Sequence, residues 1–208
     1  MIKETKENIV HIKSTHKELV YTKEFKESLA FDKNIFQKFI EIEEKMNNDD
    51  LDKELGDKNL KIVLTAKFGL RKYFKVTVNN KDYFVKEVPE ADFESGGGPK
   101  EALNLTEIKK ILEETHYSDW AEVSSFEFSY QDEGKRYFVA RWDERLKKTL
   151  LYWLSPGKLN GKEHLRVGFL RGKLREVLRS KGFRDLSDFN LSYDPVTKKI
   201  IIFDILKI

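Results

Sequence analysis

Three closely spaced segments between Leu60 and Val88 constrain the fold of this chain most. They read LKIVLTAKFG, YFKVTV and DYFVKEV, and all three are rich in the β-branched and aromatic residues that favour strands. Asn79 and Asn80 separate the last two segments, and such a pair suits the tight turn of a β-hairpin. The sequence therefore predicts an antiparallel sheet that begins near Leu60.

Helix-type patterns and further strands follow this sheet. After the break at ESGGGP, a helix is predicted at about residues 100–115, and SSFEFSY and KRYFVARW form a second hairpin around QDEG. The remaining predicted elements are helical segments near 145–154 and 162–181 and two short strands, Leu191–Tyr193 and Lys199–Phe203. An order of strands, helix, strands, helices and a final strand pair predicts an α+β fold, in which a sheet lobe precedes a helical lobe.

Residues 1–58 are predicted to form an N-terminal extension. Residues 1–31 are polar with short alternating pieces such as ELVYT, a pattern typical of extension or edge strands. Asp32 is positioned to cap a helix at roughly residues 33–47. The charged segment NNDDLDKELGDKN that follows is the predicted boundary to the main domain.

Composition and charge exclude several classes of site and partner. Lysine and arginine total 39 and aspartate and glutamate 36, and a net charge of +3 gives little reason to expect a nucleic-acid or membrane partner. The chain has no cysteine, which excludes disulfides, thiolate chemistry and cysteine zinc sites. It also has no signal-peptide pattern and no apolar run long enough for a transmembrane helix. We therefore expect a cytoplasmic protein without membrane insertion.

The segment FRDLSDFN carries the most specific motif in the sequence. Arg184 to Asn190 fit the kinase catalytic-loop pattern H-R-D-L-x-x-x-N at every fixed position except the first, where Phe183 replaces the histidine. At this point the chain resembles the protein-kinase-like superfamily, including its atypical and small-molecule branches. The resemblance implies that the other parts of the kinase pattern occur in order along the chain.

Two further kinase elements lie upstream of this loop. Lys86 ends a strand, as does the lysine of the V-A-I-K element of kinases. Gly69 and Val76 fit the first and last positions of the glycine-rich pattern G-x-G-x-x-G-x-V. Arg71 and Phe74 stand where the other glycines would be, so the glycine-rich loop is degenerate.

An acidic partner for the lysine and a metal-binding aspartate complete the set. The helix after Lys86 offers Glu107, and alternatively Glu101, as the acid that would pair with the lysine. Asp204 lies beyond Asn190, after an apolar strand, where the resemblance puts the aspartate of D-F-G. These elements occur in the kinase order along the chain, which makes the resemblance more specific than any one motif.

The resemblance implies a site for Mg-ATP. Phosphoryl transfer asks a protein for positioning and charge neutralisation rather than covalent chemistry. By analogy, Lys86 would hold the α- and β-phosphates, and Asp185 would act as the base that receives the proton of the substrate hydroxyl. Asn190 and Asp204 would bind Mg²⁺ through hard oxygen ligands. The other nucleotide contacts implied by the resemblance come from Gly69, Val76, Glu107 and Trp142.

The resemblance also implies a bilobal kinase-like fold. Residues 59–142 would form an N-lobe built on an antiparallel sheet, and residues 143–208 a reduced helical C-lobe with the catalytic loop and the metal-binding strand pair. The segment RYFVARWDER would run into the hinge, where backbone groups near Trp142–Glu144 contact adenine. Because the sequence ends soon after Asp204, we expect a reduced or shortened C-lobe of the atypical or small-molecule kind.

Three functions remain open at this stage. The first is an ATP- and Mg²⁺-dependent phosphotransferase acting on a hydroxyl group of an unidentified substrate. The second is a pseudokinase, a nucleotide-binding or scaffolding module without turnover, which the degenerate glycine-rich loop favours. The third is a non-kinase α+β protein that binds nucleic acid through the basic segment of residues 158–184. A more ordinary interpretation of that segment is the solvated face of a helix that supports the catalytic loop.

Overall fold

The computed structural model describes residues 2–4, 9–13, 17–22, 33–46, 50–90, 98–132, 134–184 and 186–204. Two residues singled out in the sequence, Asp32 and Asp185, lie outside this set. The described chain has a mixed α and β fold with a large antiparallel sheet. Its α-helices are Lys33–Glu43 (α1), Gly98–Glu114 (α2), Leu150–Trp153 (α3) and Gly161–Ser180 (α4).

The strands form two sheets. In chain order the strands are β1 (Ile2–Glu4), β2 (Ile9–Lys13), β3 (Glu18–Thr22), β4 (Glu54–Gly56), β5 (Leu60–Phe68), β6 (Arg71–Val78), β7 (Lys81–Pro89), β8 (Ala121–Val123), β9 (Phe128–Asp132), β10 (Lys135–Arg141), β11 (Leu191–Asp194) and β12 (Lys199–Ile202). The large sheet has the order β1-β2-β3-β9-β10-β7-β6-β5-β4, and its neighbouring strands are antiparallel. The small sheet has the order β11-β12-β8, with β12 and β8 parallel.

The three predicted strands near the middle of the chain are confirmed as β5, β6 and β7. Asn79 and Asn80 have φ angles of 49° and 63°, the left-handed values that a two-residue hairpin turn of this kind requires. Gly69, with φ of 61°, occupies the corresponding turn between β5 and β6, where Phe68 pairs with Arg71. These short turns make the meander a direct consequence of local sequence.

The chain divides into two compact units. The first comprises residues 1–102 and 125–142, and the second comprises residues 103–124 and 143–208. This division differs from the predicted one in two respects. The described part of residues 1–58 belongs to the first unit rather than to a separate extension, because β3 pairs with β9. Residues 103–124, assigned from the sequence to the same part as residues 59–102, belong to the second unit.

Helix α1 covers one face of the large sheet in the first unit. Its Phe36 and Phe39 are spaced to lie on the same side of the helix, and both contact the ring of Tyr137 at centroid distances of 5.3 and 6.0 Å. Phe74 and Val76 from β6 are fully buried in the same core. The predicted helix at 33–47 is thus present, ending at Glu43.

Helix α4 supports the core of the second unit. Its buried residues Val167, Leu174 and Leu178 pack in one cluster with residues of β11 and β12. The Asn160 side chain caps its start by accepting a hydrogen bond from the Glu163 N–H at 2.9 Å. Among the helices that the structure describes, none is long and apolar enough to cross a membrane.

Candidate active site

The first unit contains a buried ion pair between strand β7 and helix α2. The Lys86 ammonium lies 3.0 Å from Oε2 of Glu101, and the two side chains are only 2% and 3% exposed. Removing two charges from water is costly, and a close carboxylate offsets much of that cost. A lysine held in this way has a fixed ammonium position, unlike a lysine on a solvated strand.

The start of helix α2 explains why Glu101 reaches Lys86. Gly98 has φ of 58°, and a Cβ added there would lie 2.8 Å from Cβ of Arg136 on β10. Glycine therefore lets the first turn of the helix lie against the sheet. Arg136 pairs with Val88, two residues beyond Lys86, so both belong to the same face of the sheet. Glu101 in that first turn also interacts favourably with the helix dipole.

The contact identifies which glutamate meets the lysine. Glu107 is the first choice predicted from the sequence and Glu101 the alternative, and the carboxylate in contact with Lys86 is that of Glu101. Glu107 lies six residues further along α2, which turns its side chain by roughly 240° around the helix axis. The assignment of Glu107 as the partner of Lys86 is therefore corrected to Glu101.

Aromatic side chains flank Lys86 on the same face of the sheet. Tyr73 on β6 and Phe138 on β10 lie directly opposite Lys86 across the two neighbouring strands. Phe84, two residues before Lys86, lies 6.1 Å from Tyr73 between ring centroids. These aromatic side chains contribute to the low exposure of Lys86, and apolar surface near an ion pair strengthens its attraction.

Val76 does not lie on this face of the sheet. It pairs with Tyr83, and Tyr83 is separated from Lys86 by an odd number of positions, so their side chains project to opposite faces. Val76 is fully buried in the core beneath α1. This placement is incompatible with the predicted role of Val76 in binding a nucleotide beside Lys86. That role is inferred from the number of residues between Gly69 and Val76, which does not show the face of the sheet on which a side chain lies.

Gly69 and Trp142 occupy the ends of strands in the first unit. Gly69 lies in a two-residue turn, and a Cβ there would contact nothing within 4 Å. Trp142 directly follows β10, its backbone N–H donates to the Asp82 carbonyl at 3.0 Å, and the Lys75 ammonium lies 5.3 Å from its ring centroid. The predicted nucleotide contacts of Gly69 and Trp142 stay predictions.

In the second unit the predicted catalytic loop is anchored to helix α4. Asp188 accepts hydrogen bonds from Arg171 at 2.8 Å and from Arg175 at 2.9 Å, and Arg175 also donates to the Leu186 carbonyl at 2.8 Å. Phe183, in place of the kinase histidine, is fully buried in the core of this unit. The loop is therefore fixed at both sides of position 185, whose aspartate lies outside the described residues.

The two predicted metal ligands lie at the same end of one hairpin. Leu191 pairs with Ile202 at that end of β11 and β12, and the Phe203 N–H donates to the Asn190 carbonyl at 3.0 Å. Asp204 follows immediately and has φ of 53°, a left-handed conformation that few residues other than glycine adopt as readily as Asn and Asp. Asn190 and Asp204 are thus neighbours across the strand ends.

The chemistry of these two side chains suits a hard cation. An amide oxygen and a carboxylate are ligands that Mg²⁺ accepts, and Mg²⁺ usually takes only one or two carboxylates together with water and phosphate oxygens. Within the described ranges, no group of three or more His, Asp and Glu side chains forms an all-protein metal site. The donor set fits a metal that arrives with a phosphate ligand better than a resident structural ion.

A second buried charge cluster lies on the opposite face of the large sheet and was not predicted. Glu43 at the end of α1 is fully buried and accepts from Lys135 at 2.7 Å and from Lys72. Glu87, next to Lys86, lies 3.6 Å from Lys72 and 3.5 Å from Lys135. Burial and the neighbouring Glu43 carboxylate raise the pKa of Glu87 to about 7.

Sequence reasoning also missed the role of Asp188 as the residue that ties the loop to α4. The only available signal was the spacing of Arg171 and Arg175, which places two guanidinium groups one turn apart on the same side of a helix. Nothing in the sequence linked the Glu43 cluster, since its members come from α1, β6, β7 and β10.

Comparisons with known proteins give little further information. No protein-family model matches the sequence, and no curated protein matches it. Among solved structures, the chain is similar to the Cydia pomonella granulovirus kinase PK-1, with 10% sequence identity and a TM-score of 0.43. The similarity covers 82% of this chain and 56% of the viral kinase chain, so the chain spans little more than half of that protein.

Proposed function

We propose that this chain is a kinase-like phosphotransferase that binds Mg-ATP and transfers its γ-phosphate to a substrate hydroxyl group. The observation that carries the proposal is the buried ion pair between Lys86 and Glu101. Lysine is among the residues least often buried, and a fixed ammonium on a strand is the feature needed to hold nucleotide phosphates. The kinase-like bilobal arrangement belongs to the same proposal.

Lys86 and Glu101 act together in this proposal. The carboxylate orients the ammonium, and the ammonium donates hydrogen bonds to the α- and β-phosphate oxygens. Tyr73 and Phe138 on either side keep water from the ion pair, which strengthens its attraction for phosphate. Apolar side chains of similar size could fill the same space without the free-energy cost of burying two charges. A role in binding phosphate therefore gives a reason for the presence of the charges.

Asn190 and Asp204 are the proposed holders of Mg²⁺. When bound, Mg²⁺ neutralises phosphate charge and orients the transferring group. The hydrogen bond between Phe203 and Asn190 keeps the two side chains at one end of the β11–β12 hairpin. The hairpin therefore holds the backbones of the two proposed ligands side by side, which supports the proposal.

Asp185 is the proposed base. The substrate oxygen forms a bond to the γ-phosphorus, the bond from the γ-phosphorus to the bridging oxygen breaks, and ADP leaves. Asp185 accepts the hydroxyl proton. The contacts of Asp188 with Arg171 and Arg175 support this role, since they hold the loop three residues further on.

A nucleotide-binding module without turnover is the second candidate. The specific observation in its favour is the tight turn at Gly69 and Leu70, where β5 and β6 are joined by only these two residues. Such a turn offers fewer backbone N–H groups to a phosphate than a longer glycine-rich loop. Under this alternative, Lys86 and Asp204 bind the nucleotide but no phosphate is transferred.

Turnover of γ-labelled ATP tests the proposal. The wild-type chain, Asp185→Ala and Asp204→Ala are incubated with Mg-ATP, and released phosphate and labelled protein are measured. Asp119→Ala, an exposed aspartate of the second unit, is the matched control. We expect activity in the wild type and the control and at least a hundredfold loss in the two site variants.

The same variants separate the two candidates. Equal activity in all four proteins contradicts the enzymatic proposal. Absence of turnover together with ATP-dependent thermal stabilisation that is lost in Asp204→Ala supports the nucleotide-binding module instead.

A further inference from the structure

Helix α4 presents apolar side chains on the side that faces away from its core. Leu165 is 75% exposed and Phe169, one turn further, is 64% exposed. Val167, Leu174 and Leu178 on the opposite side of the helix are fully buried. Large apolar groups at adjacent positions of one exposed helix face are a pattern of docking surfaces, whereas single scattered ones are common on any protein.

Glycines extend this exposed face. Gly161, Gly168 and Gly172 lie on the same side of the helix as Leu165 and Phe169. A Cβ at any of these glycines would contact nothing within 4 Å. Packing among the described residues therefore does not require glycine there, although glycine disfavours a helix relative to alanine. A surface without side chains beside Phe169 allows another backbone to approach closely. We call Leu165, Phe169 and Gly172 the α4 face.

The charges that border the α4 face are mainly positive. Lys162, Arg166 and Arg179 are exposed along it, and the one exposed acid of the helix, Glu176, pairs with Lys173 at 3.3 Å. Lys162, Arg166 and Arg179 therefore give the border of the α4 face a net positive charge. Charge complementarity calls for a partner with carboxylates at the matching positions.

A second copy of this chain is a poor occupant. Two α4 helices brought together would oppose like charges at both ends, because Lys162 and Arg179 lie near opposite ends of the helix in each copy. Nucleic acid is also a poor match, since its phosphates would contact the basic side chains and leave Leu165 and Phe169 exposed.

We propose that the α4 face docks an acidic amphipathic helix of a partner protein. The apolar side of that helix packs on Leu165 and Phe169 and approaches closely at Gly172. Its carboxylates contact Lys162, Arg166 and Arg179. This mode of recognition uses the same side-chain spacing as other helix-in-groove interactions. The inference does not depend on the proposed phosphotransfer.

A pair of designed peptides tests the proposal with the full chain. One is a 20-residue helical peptide with leucine and alanine along one side and glutamate on both flanks; the other carries lysine in place of each glutamate. Binding of the fluorescein-labelled peptides is measured by anisotropy at two salt concentrations. We expect the acidic peptide to bind at least tenfold more tightly than the basic one, with an affinity that falls as salt rises.

Substitutions locate the binding to the α4 face. Phe169→Ser and, separately, Leu165→Ser should each weaken binding of the acidic peptide at least fivefold. Both positions are exposed, so the fold should be retained, and circular dichroism checks this. Val196→Ser is the matched control, because Val196 is 87% exposed in a turn of the same unit. Its affinity should equal that of the wild type.

Four results would overturn the proposal. The first is equal or absent binding of the two peptides, and the second is binding that Phe169→Ser and Leu165→Ser leave unchanged. The third is a dimer in analytical ultracentrifugation that Phe169→Ser dissociates, which would assign the face to a second copy. The fourth is salt-dependent binding of single-stranded RNA that Phe169→Ser abolishes. ATP turnover of Phe169→Ser is measured in parallel, so that failure of either proposal is recognised separately.

Discussion

Replacing Glu101 by leucine leaves the Lys86 ammonium in a site where only 2% of its side chain reaches solvent. Breaking a buried ion pair by removing one partner costs about 3–5 kcal/mol, because a buried charge is left without compensation. An exposed pair costs about 0–1 kcal/mol. The burial of both side chains places this pair in the first class, so the free energy of unfolding of Glu101→Leu should fall by about 3–5 kcal/mol.

Helix α2 provides its own control for this prediction. Lys110 and Glu114 form a pair at 4.0 Å whose side chains are each 58% exposed. Glu114→Leu removes the same charge from the same helix, and we expect a change within about 0.5 kcal/mol. Urea unfolding followed by circular dichroism measures both variants at one pH and salt concentration.

A double variant separates the effect of the two charges on stability from their proposed role in binding phosphate. Lys86→Met combined with Glu101→Leu removes both charges while keeping comparable volume, so its stability should return to within about 1 kcal/mol of the wild type or exceed it. Should Glu101→Leu prove no more destabilising than Glu114→Leu, the description of Lys86 and Glu101 as a strongly coupled buried pair is refuted.

The remaining predictions concern a carboxyl group, the loop anchor and a turn. Because the pKa of Glu87 is raised from 4.5 to about 7 in the fold, the folded state keeps a proton that the unfolded state loses between these values. The wild type should therefore lose on the order of 3 kcal/mol of stability as pH rises through this window, and Glu87→Gln should remove that loss in urea unfolding measured at several pH values. Asp188→Asn weakens the contacts with two arginines on α4 and should cost about 1–2 kcal/mol and lower ATP turnover, both compared with wild type. Asn80→Val places a β-branched residue at φ of 63° and should lower the free energy of unfolding by about 1–2 kcal/mol, whereas Asn80→Gly should not. Urea unfolding of both variants measures this difference.

Elements defined by local pattern could be predicted from the sequence. Strands β5, β6 and β7 are predicted by their β-branched and aromatic residues and by the Asn79-Asn80 turn, and α4 is predicted by its apolar spacing. The strand pair Leu191–Tyr193 and Lys199–Phe203 is predictable for the same reason. In each case the signal is a local pattern of residues within the element itself or in an adjoining turn.

Elements that depend on distant pairing could not be predicted. Strand β8 has only three residues and exists because it pairs with β12, far along the chain. Strand β3 was recognised as extended, but not its position between β2 and β9, which joins the N-terminal residues to the large sheet. The local sequence of a short strand does not indicate which distant strand it pairs with.

The candidate site was predictable in its residue types but not in its geometry. Lys86, Asn190 and Asp204 were singled out by motif order. The choice between Glu101 and Glu107 depended on where α2 begins and on the contact of Gly98 with Arg136, which the spacing alone does not give. The role predicted for Val76 does not match the structure, because the face on which a strand side chain lies follows from the pairing register with neighbouring strands. The position of a residue within a sequence motif does not define that face.

Isothermal titration of Mg-ATP into the wild type and into the Lys86→Met, Glu101→Leu double variant tests the central claim most directly. The double variant is expected to keep the fold, which circular dichroism checks, so that a loss of binding reflects the missing ion pair rather than unfolding. Lys81→Met, an exposed lysine on the same strand, is the control. The account predicts saturable binding by the wild type and the control and at least tenfold weaker binding by the double variant. Equal affinity in all three proteins, or no binding by the wild type, would contradict it.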